Sequence, residues 1–239
     1  MPLAVVFGGG GVRGAFQAGA WAQLSRWLKP DFVIGSSIGA INAWATTRMS
    51  GEELVAWWLS RAPSRLLPYQ TRTLDGLIAE LLALPQHQTW PALAVCTPLG
   101  QRVPHVVTLH ATTGRAWLRA SAALPGWYAP VKVDQRYYVD GGVVNDLPVA
   151  IARDIGATQV IALSAAGLGP TPALGQTPVL TPPKDALMLN FSLANRQALV
   201  QAGRQAARDF ANTYQIAQPV EIHGKKVQNE RQHYKDERG

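Results

Sequence analysis

Five apolar residues, Leu3 to Phe7, run straight into four glycines, Gly8 to Gly11, followed by Val12-Arg13-Gly14. This junction restricts the chain more than any other feature. A short apolar run of this kind reads as a strand buried on both faces. Glycines directly after it let the backbone take positive φ and approach another group closely. The spacing of Trp21, Leu24, Trp27 and Leu28 then predicts a helix over residues 15–28. A loop so placed turns several N–H groups toward one point, and the helix dipole adds partial positive charge there. The junction is built to hold an anion, either a phosphate or a transient oxyanion.

The same arrangement recurs once. Residues 31–35 contain the apolar run Phe32-Val33-Ile34, then comes Gly35-Ser36-Ser37-Ile38-Gly39, and residues 39–49 read as a helix. A third apolar run, Gln159–Leu163, completes the set of buried strands. Apolar runs alternating with helical patterns indicate an α/β domain with a largely parallel sheet. Residues 52–60 and 74–84 are helical in pattern, punctuated by Pro63, Pro68, Pro85, Pro91 and Pro98. Residues 102–140 read as strand-like, at 103–109 and 136–139, with Asp134 in a hairpin turn. A helix is expected at 147–155, with Pro148 in its first turn. Residues 167–183, rich in Gly, Pro and Thr, read as a mobile loop. One long helix or two should occupy 185–215 and a short last strand 219–223. We expect a single domain over residues 1–224 and a polar, frayed tail over 225–239.

At 239 residues, 47% hydrophobic and 15% charged, the chain can bury a sizeable core. The single cysteine, Cys96, excludes an intramolecular disulfide and a cysteine-based zinc cluster. No metal or other cofactor is expected. The net charge of +7 and pI of about 9.9 favour phosphate-bearing partners. The basic residues are scattered, so they fit a solvated face or weak peripheral contact with anionic membrane, and no nucleic acid is expected. There is no secretory pattern and no apolar run near the roughly 18–20 residues that a bilayer span needs. A cytoplasmic protein is expected.

Three motifs carry chemistry. The glycine loop fits a dinucleotide fingerprint through Gly9, Gly11 and Gly14, which would make the chain an oxidoreductase. That reading needs an acid at the end of the second strand, whereas Asp31 stands at its start and Gly35-Ser36-Ser37 at its end. The second motif, Gly35-Ser36-Ser37-Ile38-Gly39, fits G-x-S-x-G, in which a serine sits exposed on a sharp strand-to-helix turn. The third is Asp140 before Gly141-Gly142, an acid leaving a strand; it reads either as a serine's partner or as a turn aspartate. Asp146, before Leu147-Pro148, reads as a helix cap.

Together these motifs resemble the patatin-like phospholipase family, closest to its small stand-alone bacterial members. The matching stretches are Gly9-Gly10-Gly11-Val12-Arg13-Gly14, Gly35-Ser36-Ser37-Ile38-Gly39 and Asp140-Gly141-Gly142, in that order. Residues 120–130, Asn145 and Pro148 also match, and the resemblance spans roughly residues 3–165. It implies a three-layer α/β/α sandwich and a Ser-Asp dyad. Ser37 would be the nucleophile and Asp140 its base. Gly10 and Gly11 would form the oxyanion hole, with Gly9, Arg13, Gly35 and Gly39 in support. The implied activity is hydrolysis of carboxyl esters of lipids through an acyl-enzyme. A non-catalytic lipid- or anion-binding protein of the same fold is the alternative.

An ordinary hydrolase triad would follow the chain order Ser37, Asp140, His223. His105 and His110 read as packed or surface residues, because five-residue spacing in a strand sends them to opposite faces. Trp57 and Trp58, with Leu66, Leu67 and Tyr69 beyond, fit either an apolar lid edge or core packing.

Overall fold

The computed structural model describes residues 1–64 and 71–214. The expected strand at 219–223, the tail, His223, and Leu66, Leu67 and Tyr69 lie outside the described residues. The sheet is built from β1 (Leu3–Phe7), β2 (Phe32–Ser36), β3 (Ala92–Pro98), β4 (His105–Thr108), β5 (Val131–Val133), β6 (Arg136–Asp140), β7 (Gln159–Leu163) and β8 (Val179–Leu180). The helices are α1 (Gly14–Leu24), α2 (Ile38–Thr46), α3 (Gly51–Ser60), α4 (Thr71–Ala83), α5 (Gly114–Ser121), α6 (Val149–Asp154) and α7 (Leu193–Thr213). Strands β3, β2, β1, β7 and β8 lie side by side and parallel, while β4, β5 and β6 join antiparallel at the β3 end.

Alternation along β1 explains the layers. Val5 and Phe7 point into one core, which they share with residues of α1 through α5 and α7. Ala4 and Val6 point into the other, against Leu147 and Val149, Ile151 and Ala152 of α6. The expected sandwich is therefore present, and among the described residues its third layer is one six-residue helix. The thick layer depends on close helix contact. A Cβ on Gly19 of α1 would stand 2.1 Å from Val200 O of α7, and one on Gly203 of α7 would stand 2.0 Å from Phe16 O. Glycine on both sides lets the two backbones touch.

The central strand β3 corrects the sequence reading, which placed residues 51–100 in two helices and proline-rich connections. Ala92-Leu93-Ala94-Val95-Cys96 is weighted toward alanine and leucine, good helix formers, yet every residue of β3 is buried. Its place between other strands overrides local propensity. Helix α5 lies within a region read as strand-like. At eight residues it shows little more than two turns of periodicity, between two true strands. Residues 167–183 are not simply a loose loop: Val179 and Leu180 pair with β7, and a Cβ on Gly169 would overlap Gly142 O at 1.6 Å.

Register at β3 places the site. Val95 pairs with Ser36 of β2 on one side and Val106 of β4 on the other. The next residue, Cys96, pairs with His105 of β4 and with Asp140 of β6. Strand β6 therefore takes the edge of β3 where β2 stops, and arrives from the opposite direction. The end of β2 and the end of β6 meet head on.

Candidate active site

Ser37 follows β2 directly and precedes α2, with φ 57° and ψ −128°. This conformation is costly for a residue with a Cβ and persists only where the surroundings impose it. The two flanking glycines impose it. A Cβ on Gly35 would lie 2.2 Å from the Gly39 carbonyl carbon and oxygen, and one on Gly39 would lie 2.2 Å from Phe7 O. The turn is fastened by its neighbours. Ser36 Oγ–H donates to Asn145 O at 2.6 Å. Ser37 N–H donates to Ser121 Oγ at 3.0 Å, and that hydroxyl donates to Val95 O at 2.7 Å.

Ser37 Oγ–H donates to Asp140 Oδ2 at 2.6 Å, across 103 residues of chain. The other carboxylate oxygen, Oδ1, accepts Gly142 N–H at 2.8 Å. The backbone of Asp140 is held by Ala123 O at 3.0 Å and by Thr97 Oγ1 at 2.8 Å. Asp140 is 2% exposed. Burial pushes its carboxyl up to about 6, and the bonds from Ser37 and Gly142 restrain the rise.

The glycine loop lies beside this pair. Gly9 N–H donates to Asp146 O at 3.0 Å and Val12 N–H to Met188 O at 3.0 Å. The N–H groups of Gly10 and Gly11 between them have no acceptor among the described residues. Gly10 has φ 150° and Gly11 φ 59°, so both need glycine's freedom. Arg13 Nη1 donates to Ala166 O at 2.6 Å, tying the loop to the segment after β7. Below the loop runs a buried amide chain. Gln17 Nε2 donates to Gly8 O and Leu163 O, both at 2.8 Å. Asn42 Nδ2 donates to Gly14 O at 3.0 Å and Gln17 Oε1 at 2.8 Å, and Asn42 Oδ1 accepts Trp58 Nε1–H at 2.9 Å.

The pair opens on a cavity of about 320 Å³ whose remaining walls are mostly apolar, among them Ile41, Leu74, Leu77, Leu124 and Phe191. Trp57 and Trp58 are buried and form part of this wall. Both indoles belong to the core and not to an outer edge.

Asp146 is the residue whose role the sequence misplaced. It does not cap α6, whose N-cap is Pro148 with no side-chain bond. Asp146 is 2% exposed, lines the cavity, and accepts Gly167 N–H on Oδ2 at 3.1 Å. Burial pushes its carboxyl up to about 7, Asp140 pushes the same way, and Gly167 N–H and Arg13 pull it down. Ser121, Thr97, Gln17 and Asn42 also support the site; Ser121 lies in the stretch 120–130 that resembles the family, and nothing in the local sequence marks the other three. His105 packs against Trp117 and Tyr138, each with ring centroids 5.3 Å away, and His110 is exposed. Asp31 accepts Leu3 N–H at 2.7 Å where β2 begins, so it cannot hold a ribose beside the glycine loop.

Fold and site together define an α/β protein that carries a serine on a strand-to-helix elbow, bonded to a buried aspartate beside a glycine loop. A family model described as patatin-like phospholipase matches residues 5–98 and 100–153, and the chain belongs to that family. Patatin-like phospholipase domain-containing protein 7 of Mus musculus is 30% identical over 183 residues, which is 67% of this chain and 13% of that protein. An uncharacterized NTE family protein of Mycobacterium tuberculosis is 29% identical over 195 residues, 75% of this chain and 53% of that one. The chain thus corresponds to only part of these relatives. The crystal structure of VipD from Legionella pneumophila shares the fold, with a TM-score of 0.54 at 10% identity over 89% of this chain and 67% of VipD. Among the described residues, no helix is long and apolar enough to cross a membrane.

Proposed function

We propose that the chain is a serine acyl-hydrolase that cleaves carboxyl esters of lipids, with Ser37 as nucleophile and Asp140 as its base. The observation that carries this reading is the 2.6 Å bond from Ser37 Oγ to Asp140 Oδ2 in the wall of an apolar cavity. A serine hydroxyl is a weak nucleophile and needs a base. Asp140, raised to about 6, is ionised at neutral pH yet binds a proton more tightly than an ordinary carboxylate.

In the first half-reaction Asp140 takes the hydroxyl proton as Oγ bonds to the ester carbon. The carbonyl oxygen becomes an oxyanion beside the N–H groups of Gly10 and Gly11. Each such donor is worth about 3 kcal/mol in other hydrolases. Collapse of the intermediate breaks the ester C–O bond, and protonated Asp140 returns its proton to the departing alcohol. Water then repeats the sequence on the acyl-enzyme and frees the acid and Ser37. Arg13 steadies the loop that presents the donors.

The apolar cavity supports a lipid acyl chain as the bound group. Val143, Leu168 and Leu189 line it and are also exposed, so its mouth suits substrate presented at a lipid surface. The basic net charge favours weak contact with anionic membrane. The test is hydrolysis of p-nitrophenyl esters of graded chain length by the wild type and by Ser37→Ala. Turnover lost in the variant is the expected result. Turnover that survives overturns the assignment, and binding of the chain without turnover in the wild type selects a lipid-binding protein.

A further inference from the structure

The environment of Asp146 has no place in a two-residue mechanism. A Cβ on Gly142 would lie 3.0 Å from Asp140 Oδ1 and 3.1 Å from Asp146 Oδ1, so these oxygens are within about 6 Å of each other. A Cβ on Gly9 would lie 2.6 Å from Asp146 Oδ1 and 3.2 Å from Ser37 Cβ, so the same oxygen is within about 6 Å of the serine. A Cβ on Gly167 would overlap it at 2.0 Å. Three glycines from three separate segments thus make room for one buried carboxyl in the cavity wall. Its backbone also fastens the site, accepting Gly9 N–H and donating to Pro170 O at 2.8 Å.

We propose that Asp146 is a positioning residue of the hydrolase, the second carboxyl of a coupled pair whose negative charge makes Asp140 a stronger base. The inference rests on the hydrolase reading above. Two carboxylates this close in a desolvated pocket resist joint ionisation, so their protons leave in two linked steps. The charged groups that act on Asp146 are Asp140 at the end of β6 and Arg13 on the glycine loop. Gly167 contributes only a backbone dipole. Beneath Asp140 on β3, Cys96 is kept a neutral thiol by burial and by Asp140 itself. Arg13 offsets part of the Asp146 charge, but its guanidinium bonds to Ala166 O and not to the carboxyl.

With both groups ionised, a proton arriving from Ser37 enters a site of doubled negative charge and is held more tightly. With Asp146 neutral, Asp140 reverts to the basicity its own surroundings give it, about 6. The geometry makes Asp146→Asn the suitable probe. Asparagine has the same shape and still accepts Gly167 N–H, whereas a longer side chain would not fit among the glycines.

The experiment measures kcat and KM against pH for wild type and Asp146→Asn on a soluble p-nitrophenyl ester. Alongside it, the carboxyl ¹³C resonances of aspartate-labelled protein are titrated. In the wild type kcat rises with pH in two linked steps, the lower at about 6 as Asp140 ionises and the upper at about 7 as Asp146 ionises. In Asp146→Asn the upper step is gone and a single limb remains near about 6, with KM within about twofold and a several-fold lower plateau. A pH profile of the same shape in wild type and variant, whether or not the plateau falls, overturns the proposal and leaves Asp146 a structural residue. If the wild type shows no turnover, or turnover survives Ser37→Ala, the hydrolase reading fails instead. The carboxyl titration then decides the coupling: an Asp140 resonance that titrates at lower pH in the variant supports it, and an unmoved one refutes it.

Discussion

Replacing Asp140 with asparagine should remove activity and raise stability, a combination that a purely structural aspartate would not give. In the folded chain the carboxyl stands at about 6, against an ordinary value of 3.8. The folded state therefore holds its proton over a range in which the unfolded chain has released it. By linkage, stability falls as pH climbs from about 4 through about 6, and the full penalty is present at pH 8. The gap corresponds to about 3 kcal/mol, an order-of-magnitude figure. Asparagine resembles the protonated acid and avoids this cost, while it can still accept Gly142 N–H. Asp140→Asn should thus match the wild type near pH 4 and exceed it by up to about 3 kcal/mol at pH 8. For a domain of this size that is roughly 6–12 °C in melting temperature. The same variant should lose about 10²–10⁴ in kcat, the usual contribution of a positioned base. Urea unfolding and thermal melts at pH 4 and pH 8, paired with ester hydrolysis, measure both effects. A variant less stable than the wild type by the same margin at both pH values would refute the reasoning, because it would mean that the ionised carboxyl is not penalised by burial.

Two other substitutions probe separate links of the argument. His223→Ala should keep most of the wild-type kcat/KM on the same esters if the site is a dyad; a loss as deep as that of Ser37→Ala would establish a triad. Gly19→Ala gains about 1 kcal/mol of helix propensity but drives a Cβ into Val200 O, so α1 and α7 must part, and the net loss should be about 2 kcal/mol by urea denaturation.

The strain at Ser37 and the burial of Asp140 share a structural origin. Ser37 directly follows β2 and Asp140 ends β6, two strands that abut on one edge of β3, so neither residue can relax without disturbing the sheet. The surrounding bonds come from Thr97 of β3, Ser121 of α5, and the backbones of Ala123 and Asn145, and they hold both residues in place. Such a prearranged site suits stabilisation of developing charge, because its dipoles are oriented before the charge appears.

Local pattern was enough to place the glycine loop after β1 and the serine on its elbow after β2. Their chemistry depends on a few neighbouring residues: an apolar run, glycines that permit close contact, and a helix start. The glycines and Ser37 stand out within their two motifs, whereas the roles expected of Gly10, Gly11, Arg13 and Asp140 come from the resemblance to the family and not from spacing. Strand β3 could not be recognised, because alanine and leucine between prolines favour no strand until neighbours bury them. The cap expected at Asp146 was a sound local reading of an aspartate before proline. Only the packing of Gly9, Gly142 and Gly167 around its carboxyl, with Asp140 and Arg13 nearby, makes it part of the site. The sequence by itself determined which short segments could bend, cradle an anion and expose a serine, since those properties belong to the local backbone. Tertiary structure alone decided that Ser37 and Asp140 meet, because their contact depends on the register of two strands against a third, and register arises only when the whole sheet is assembled.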